Sequence, residues 1–375
     1  MRRHSSGPSL RAIANRAGVS VAAVSMALRN HPRIPTSTRN RIQRLAVELG
    51  WRPNPLLAEA MSAIRAGQPV ADRVTLAWIT AHPRRDSWKR VPFFRRSYEG
   101  AAARAAAAGY RLDHFWLGDA DGHASRLSDI LVARGIVGVL VAPLPKPMSL
   151  ALDWSQFSAV AIAYSLTSPR LHRATDNHVA SARLALTSLA ASGRKRIGLA
   201  LQEAYDRRVN GLWTAGYLLQ TYDDGNADPS LIHRPIDLDE NAVVEWVRRS
   251  KVDAVIGTDS RIISWLRGAG IGVPEEVAYA DLDVAAADGS VAGIYQDAEG
   301  IGAAALDLVA GQLLRHERGL PEKPKAILIE SHWTNGATAR ESVTGSSVSA
   351  TPADRHLPEW PVETPAAIAR PVSFD

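Results

Sequence analysis

The chain has 375 residues, 46% of them apolar, enough to bury more than one core, and no cysteine, which excludes disulfide scaffolds and thiolate metal or redox chemistry. Its net charge of +6 is unevenly placed. Residues 1–65 hold eleven arginines, no lysine and only Glu48 and Glu59 as acids, whereas the remainder is slightly acidic, so a compact basic segment suited to a polyanion such as DNA precedes a near-neutral body.

Residues 1–8 read as a disordered basic tail. Ser9 is a good N-cap, and Leu10, Ile13, Ala14 and Ala17 share one face of a first helix. Gly18 ends it, Val19 can plug the core, and Ser20 caps a second helix running to about Leu28. A third helix from Thr36 or Ser37 buries Ile42, Leu45, Ala46 and Leu49 and stops at Gly50. The pattern predicts a helix-turn-helix domain over 9–52. The following WRPNPLLAEAMSAIRAGQP, with Pro53 and Pro55 as breakers and Asn54 as a cap, reads as a linker with a helical insert over 53–73.

From Val74 the texture becomes an alternation of strand and helix. VTLAWIT, RLDHFWL, GVLVAP, SAVAIAY, RIGLAL, DAVIGT and VAYADLD are the strands. Helices are expected through YEGAAARAAAAGY, up to Arg134, and over 179–192, 211–222 and 261–268. Such alternation implies an α/β core of parallel sheets over 74–342. The Ser, Thr, Pro and Ala-rich stretch 343–375 reads as disordered. The longest apolar runs are too short to span a membrane and no signal-type apolar core follows the basic N-terminus, so a cytoplasmic protein is expected.

The stretch SLRAIANRAGVSVAAVSMALRNHPRIPTSTRNRIQRLAVELGWRPNP resembles the DNA-binding segment of LacI-family bacterial transcription regulators. ATDNHVASARLALTSLAASGRKRIGLAL, GIGVPEEVAYADLD, GIYQDAEGIGAAALDLV and the closing ARES resemble the core of the same family, whereas RPNPLLAEAM and TLAWITAHPRRDSW resemble a less familiar branch of it. The resemblance implies a small all-α helix-turn-helix domain, a hinge helix and a two-lobed core like that of periplasmic sugar-binding proteins. It also implies a homodimer on a partly palindromic double-stranded DNA operator, with a small effector in the cleft that changes DNA affinity, and no cofactor.

By match to the family's reading positions, Val21, Ala22 and Met26 would meet base edges, while Ser20 and Ser25 can donate to phosphates. Their bland alternative is helix packing, which Ala14, Val24 and Leu28 already supply. Ser9 and Asn54 join the expected DNA contacts, and Arg29, Asn30, Arg33, Arg39 and Arg52 each either bind phosphate or are simply solvated. The family's wedge leucine falls on Ala60, so Leu57 or Met61 must fill the minor groove, or Leu56, Leu57 and Met61 merely pack two hinge helices together.

Ligands of open parallel sheets bind beyond the carboxyl ends of the strands, which directs attention to Thr80 through Arg85, including His82 and Arg84, and to Pro143, Leu144, Tyr205 through Arg208, Asp259 and Asp283. By resemblance, Asp283 and Arg207 are the expected polar ligand contacts, with an inter-lobe ion pair as the alternative. Trp213 is read at the place of the family's effector-binding arginine, either stacking on ligand or packing in the second lobe. No GxSxG turn, P-loop or HExxH is present, and His31, His82, His114, His172, His178 and His233 are scattered, so no enzyme is expected. A periplasmic-type solute-binding protein without a DNA role is the alternative function.

Overall fold

The computed structural model describes residues 10–28, 34–49 and 74–339. The headpiece is built from α1 (Leu10–Ala17), α2 (Val21–Leu28) and α3 (Thr36–Glu48), at the positions that the apolar spacing predicts. Ile13, Ala14, Ala17, Val24, Ala27, Ile42 and Ala46 form its core. Four of these seven are alanines, so the three helices approach closely around two isoleucines and a valine.

The core has two lobes, each with a six-stranded sheet. In the first lobe, strands β1 (Thr75–Thr80), β2 (Arg111–Trp116), β3 (Gly138–Val141), β5 (Ser158–Ile162), β7 (His172–Asp176) and β13 (Ala326–Ile329) lie in the order β13-β7-β5-β3-β1-β2. All its pairings are parallel. Two short strands, β4 (Met148–Ser149) and β6 (Leu166–Ser168), pair beside it. Helices α4 (Pro92–Ala107) and α5 (Ala124–Ala133) cross between strands. The helix expected through YEGAAARAAAAGY thus starts earlier, at Pro92, because proline suits the first helical turn.

In the second lobe, β8 (Ile197–Ala200), β9 (Ile232–His233), β10 (Ala254–Gly257), β11 (Ala278–Asp281), β12 (Ala292–Tyr295) and β14 (His332–Thr334) take the order β14-β12-β11-β10-β8-β9, with only the β12–β14 pair antiparallel. Its helices are α6 (His178–Ala191), α7 (Glu203–Arg208), α8 (Leu212–Asp223), α9 (Glu240–Ser250) and α10 (Arg261–Gly268). After β12 the chain returns to the first lobe as α11 (Ala298–Arg315), which packs on α4, β3, β5 and β7.

The chain therefore crosses between lobes three times, at Asp176–Asn177, at Gln296–Asp297 and at Glu330–Ser331. The first and third crossings are bonded side by side. Asp176 accepts from the Ser331 hydroxyl, the Asn177 amide donates to Glu330 Oε1 at 2.8 Å, and Asn177 N donates to Ile329 O at 3.0 Å.

Helices α4 and α11 touch backbone to backbone. A Cβ built on Gly302 would stand 1.9 Å from Ser97 O, and one on Gly100 would stand 2.1 Å from Glu299 O. Only glycine permits this approach, and an ion pair of Arg104 with Asp307 at 2.7 Å closes the outer face of the same seam.

Candidate DNA-binding and effector sites

In the headpiece, Gly18 takes the left-handed φ of +63° that ends α1, and Val19 N closes the turn on Ala14 O at 3.1 Å. Ser20 then caps α2, its hydroxyl accepting from Ala23 N at 3.1 Å. Two side chains of α3 fasten the ends of the other helices. The Arg41 guanidinium donates to Ala17 O at 3.1 Å and the Gln43 amide to Ala27 O at 3.2 Å. Both reach carbonyls in the last turn of a helix, where orphan acceptors collect and where the cation of Arg41 also suits the helix dipole.

Helix α2 consequently turns Val24 and Ala27 inward and leaves Ser20 and Val21 exposed, with Ser25 and Met26 half-buried. Val21 is 42% exposed, an unusual position for a valine that only packs. Nothing charged stands on the helix, VAAVSMAL. The side chain of Ala22 and the residues Ser9, Arg29, Asn30, Arg33, Arg52, Asn54, Leu56, Leu57, Ala60 and Met61 lie outside the described residues.

The carboxyl ends of both sheets face one cleft. On the second-lobe side lies a cavity of about 490 Å³ whose lining includes Gln202, Tyr205, Asp259, Arg261, Asp281 and Asp283. Tyr279 donates its hydroxyl to Asp281 Oδ2 at 2.9 Å, and Asp283 N donates to Asp281 Oδ1 at 2.8 Å. Burial pushes the Asp281 carboxyl up to about 6. Burial, reinforced by the charge of Asp281, pushes Asp283 up to about 7. Asp259 is held by Arg261, whose Nη2 stands 2.6 Å from Oδ2.

The first lobe supplies the opposing wall. The His82 ring contacts Pro143 O at 3.2 Å and lies 5.3 Å from Phe94, and burial lowers its pKa. Arg96 is 5% exposed, with its guanidinium 4.0 Å from the Tyr295 ring and Nη2 donating to Gln296 O at 2.5 Å. Gln296 in turn donates to Leu282 O at 3.0 Å, so the second crossing ties Arg96 to the strand end that carries Asp283.

Adjacent arginines on α7 separate sharply. Arg207 is exposed and pairs with Glu203 at 2.6 Å, outside the acidic cavity. Arg208 reaches across the cleft instead, with Nη1 donating to Pro145 O at 3.3 Å and its guanidinium 4.8 Å from the Phe94 ring. Its Nη2 is buried without a hydrogen-bond partner among the described residues, and burial lowers its pKa. Of the expected stretch Tyr205 through Arg208, it is thus Arg208 and not Arg207 whose side chain enters the cleft, since one residue rotates a helical side chain by about 100°. The helix is oriented from below by the buried Asp206, which accepts from the Thr214 hydroxyl at 2.8 Å and from Arg234 Nη1 at 3.0 Å.

Trp213 is likewise corrected. Its ring is buried in the second-lobe core, edge-on to His178 at 5.2 Å, and offers no face to the cleft. Arg84 is exposed on the loop after β1 and does not line the acidic cavity. His82, Pro143, Asp259 and Asp283 do stand at strand ends around the cleft, as does Arg208 from the expected stretch Tyr205 through Arg208, whereas Arg96 was missed. Arg96 gave no local signal, because it lies in a helix far from any strand end in sequence. No group of three or more His, Asp or Glu residues among the described residues is placed to hold a metal ion.

Residues 9–54 match the family model described as bacterial regulatory proteins, lacI family. That match covers the helix-turn-helix segment, which is therefore similar to the DNA-binding segment of that family. The fold of the chain is similar to that of the transcriptional regulator CelR–cellobiose complex, at 20% identity over 88% of this chain and 99% of that one, with a TM-score of 0.53. It is similar to the lac repressor dimer bound to operator and the anti-inducer ONPF, at 16% identity over 89% and 99%, with a TM-score of 0.53. A regulator of the LacI family from Sanguibacter keddieii DSM 10542 matches at 20% identity over 72% and 99%, with a TM-score of 0.54. No curated protein matches the chain. The lacI-family headpiece sets aside the alternative of a solute-binding protein without a DNA role.

Proposed function

We propose that the chain is a sequence-specific transcription repressor, acting as a cytoplasmic homodimer on a partly palindromic operator, whose DNA affinity is set by a small ligand held between the core lobes. The observation that carries the reading is the helix-turn-helix over α1 and α2, matched to the lacI family, joined in one chain to a two-lobed core with a polar cleft. In this reading 9–52 bind DNA, 53–73 form the hinge, and 74–342 bind ligand and dimerise, with 1–8 and 343–375 as tails.

The bare α2 fits base readout by shape and by apolar contact with thymine methyls, with Val21 and Met26 as readers and serines at phosphates. Dimerisation supplies affinity, because two half-sites raise the effective concentration of each headpiece at the other's site. Ligand control requires that one lobe arrangement bind the ligand better. Arg208 and Arg96 from opposite lobes face the Asp281–Asp283 wall, a donor and acceptor set suited to the hydroxyls of a sugar or similar metabolite. A ligand spanning that gap rewards closure. The neighbours bound to cellobiose and to ONPF support a ligand of this size. No helix among the described residues is long and apolar enough to cross a membrane.

The test is selection of bound genomic fragments with purified protein, followed by affinity measurement across salt concentrations. Recovery of a palindrome preferred at least ~10³-fold over random DNA, with a steep salt slope, is expected. Weak binding indifferent to sequence overturns the reading.

A further inference from the structure

A second cavity, of about 440 Å³, lies on the other side of α7 from the acidic cleft. Its lining includes Tyr164, Arg170, Arg173 and Lys325 from the first lobe, and Arg207 and Asn210 from the second. No aspartate or glutamate lines it among the described residues. We propose that this hollow is a second ligand site, one that takes a phosphate dianion, either free or as the end of a small phosphorylated metabolite.

Of the four cations only Arg207 is ion-paired with a carboxylate among the described residues, so the hollow keeps an excess of positive charge. Arg170 precedes β7 and Arg173 lies within it, and neither is ion-paired with a carboxylate among the described residues. Arg173 is half-buried, and its Nη1 donates to Ala163 O at 2.5 Å while its guanidinium stacks 4.7 Å from the Tyr164 ring. Burial and the neighbouring Arg170 both push its pKa down, the signature of a cation held against its surroundings. Lys325 is brought alongside by pairing of β13 with β7, where Ala326 is registered on Arg173, and its backbone N donates to His172 Nδ1 at 2.9 Å. Arg207 completes the ring, with Glu203 one turn back on its helix as its counter-ion.

Such a cluster is costly when empty and favourable around a dianion, because guanidinium forks and an ammonium donate charge-assisted hydrogen bonds to phosphate oxygens. The volume lies within the roughly 300–1,000 Å³ typical of small-molecule sites, so a phosphate could carry a few carbons with it. Since cations come from both lobes, occupancy is coupled to the angle between them and therefore to the cleft. The site is separate from the cleft in sign, because the cleft cavity is lined by carboxylates.

The test is isothermal titration calorimetry of the full chain at constant ionic strength, with inorganic phosphate, glycerol 3-phosphate and glycerol as titrants. Saturable binding of one or both phosphates but not of glycerol is expected. Arg170→Ala combined with Lys325→Ala should weaken it at least about 10-fold. Both side chains are exposed, so melting should be unchanged. Arg95→Ala with Arg111→Ala, which removes the same charge elsewhere, should leave binding intact. Preference for inorganic phosphate assigns the site to the free ion, and preference for glycerol 3-phosphate to a metabolite. Equal binding by wild type and the Arg170/Lys325 variant, or heat from glycerol alone, overturns the proposal.

Discussion

Replacing Asp283 by asparagine tests the electrostatics of the cleft directly. In the folded core Asp283 ionises near 7 rather than at the ordinary 3.8, because it is buried beside Asp281, and the nearby Arg96 and Arg208 only partly offset this. Between about pH 4 and pH 7 the folded chain therefore holds a proton that the unfolded chain has lost. The resulting stability is fully present below the unfolded value and is lost as pH rises through the folded one. A shift of about three units corresponds to about 4 kcal/mol at most, and solvent reaching the open cleft should reduce this to about 2 kcal/mol. Asp283→Asn removes the ionisation and lowers the burden on Asp281, so relative to the wild type the variant should gain about 2 kcal/mol between about pH 3.5, below the unfolded value, and about pH 8, above the folded one. Urea unfolding of both proteins at the two values measures this. A variant that instead loses stability relative to wild type between them would refute the reasoning, because it would mean that Asp283 is a paired carboxylate rather than a strained one.

Gly302→Ala should cost about 3 kcal/mol or more, since the added Cβ meets a backbone oxygen that cannot move aside, and a thermal melt will register it. Loss of the Ser20 cap in Ser20→Ala should destabilise the headpiece by about 1 kcal/mol and weaken operator binding in a gel-shift titration. Arg208→Ala should abolish the ligand-dependent change in operator affinity, whereas Arg207→Ala should preserve it. Equal effects of the two substitutions would return Arg207 to the cleft.

The headpiece was legible almost residue by residue, because its signals are local: a cap at Ser20, a stop at Gly18 and apolar positions three and four apart. The strands were legible too, since buried parallel strands such as VTLAWIT and DAVIGT read as apolar runs. What escaped was whatever depends on distant pairing. Nothing in AEGIGAAALDLVAGQLLR says that this helix belongs to the first lobe, because its partners precede it by some two hundred residues. Choosing between Arg207 and Arg208 needed the phase of a six-residue helix, too short for periodicity to fix. Trp213 stood at the place of the family's effector-binding arginine, where an aromatic suits either ligand or core, and only its burial in the second-lobe core beside His178 decides it.

The return of α11 to the first lobe has a consequence for how such a chain is made and altered. The glycine seam with α4 cannot close until residue 302 has left the ribosome, so the first lobe must wait, incomplete, while the whole second lobe is synthesised. Its exposed apolar faces during that interval include Phe93, Ala101 and Leu140, which α11 and its neighbours later cover. Neither lobe is a contiguous length of chain, so exchanging one with a relative's requires cutting at all three crossings together. A single cut would leave a sheet without its cover.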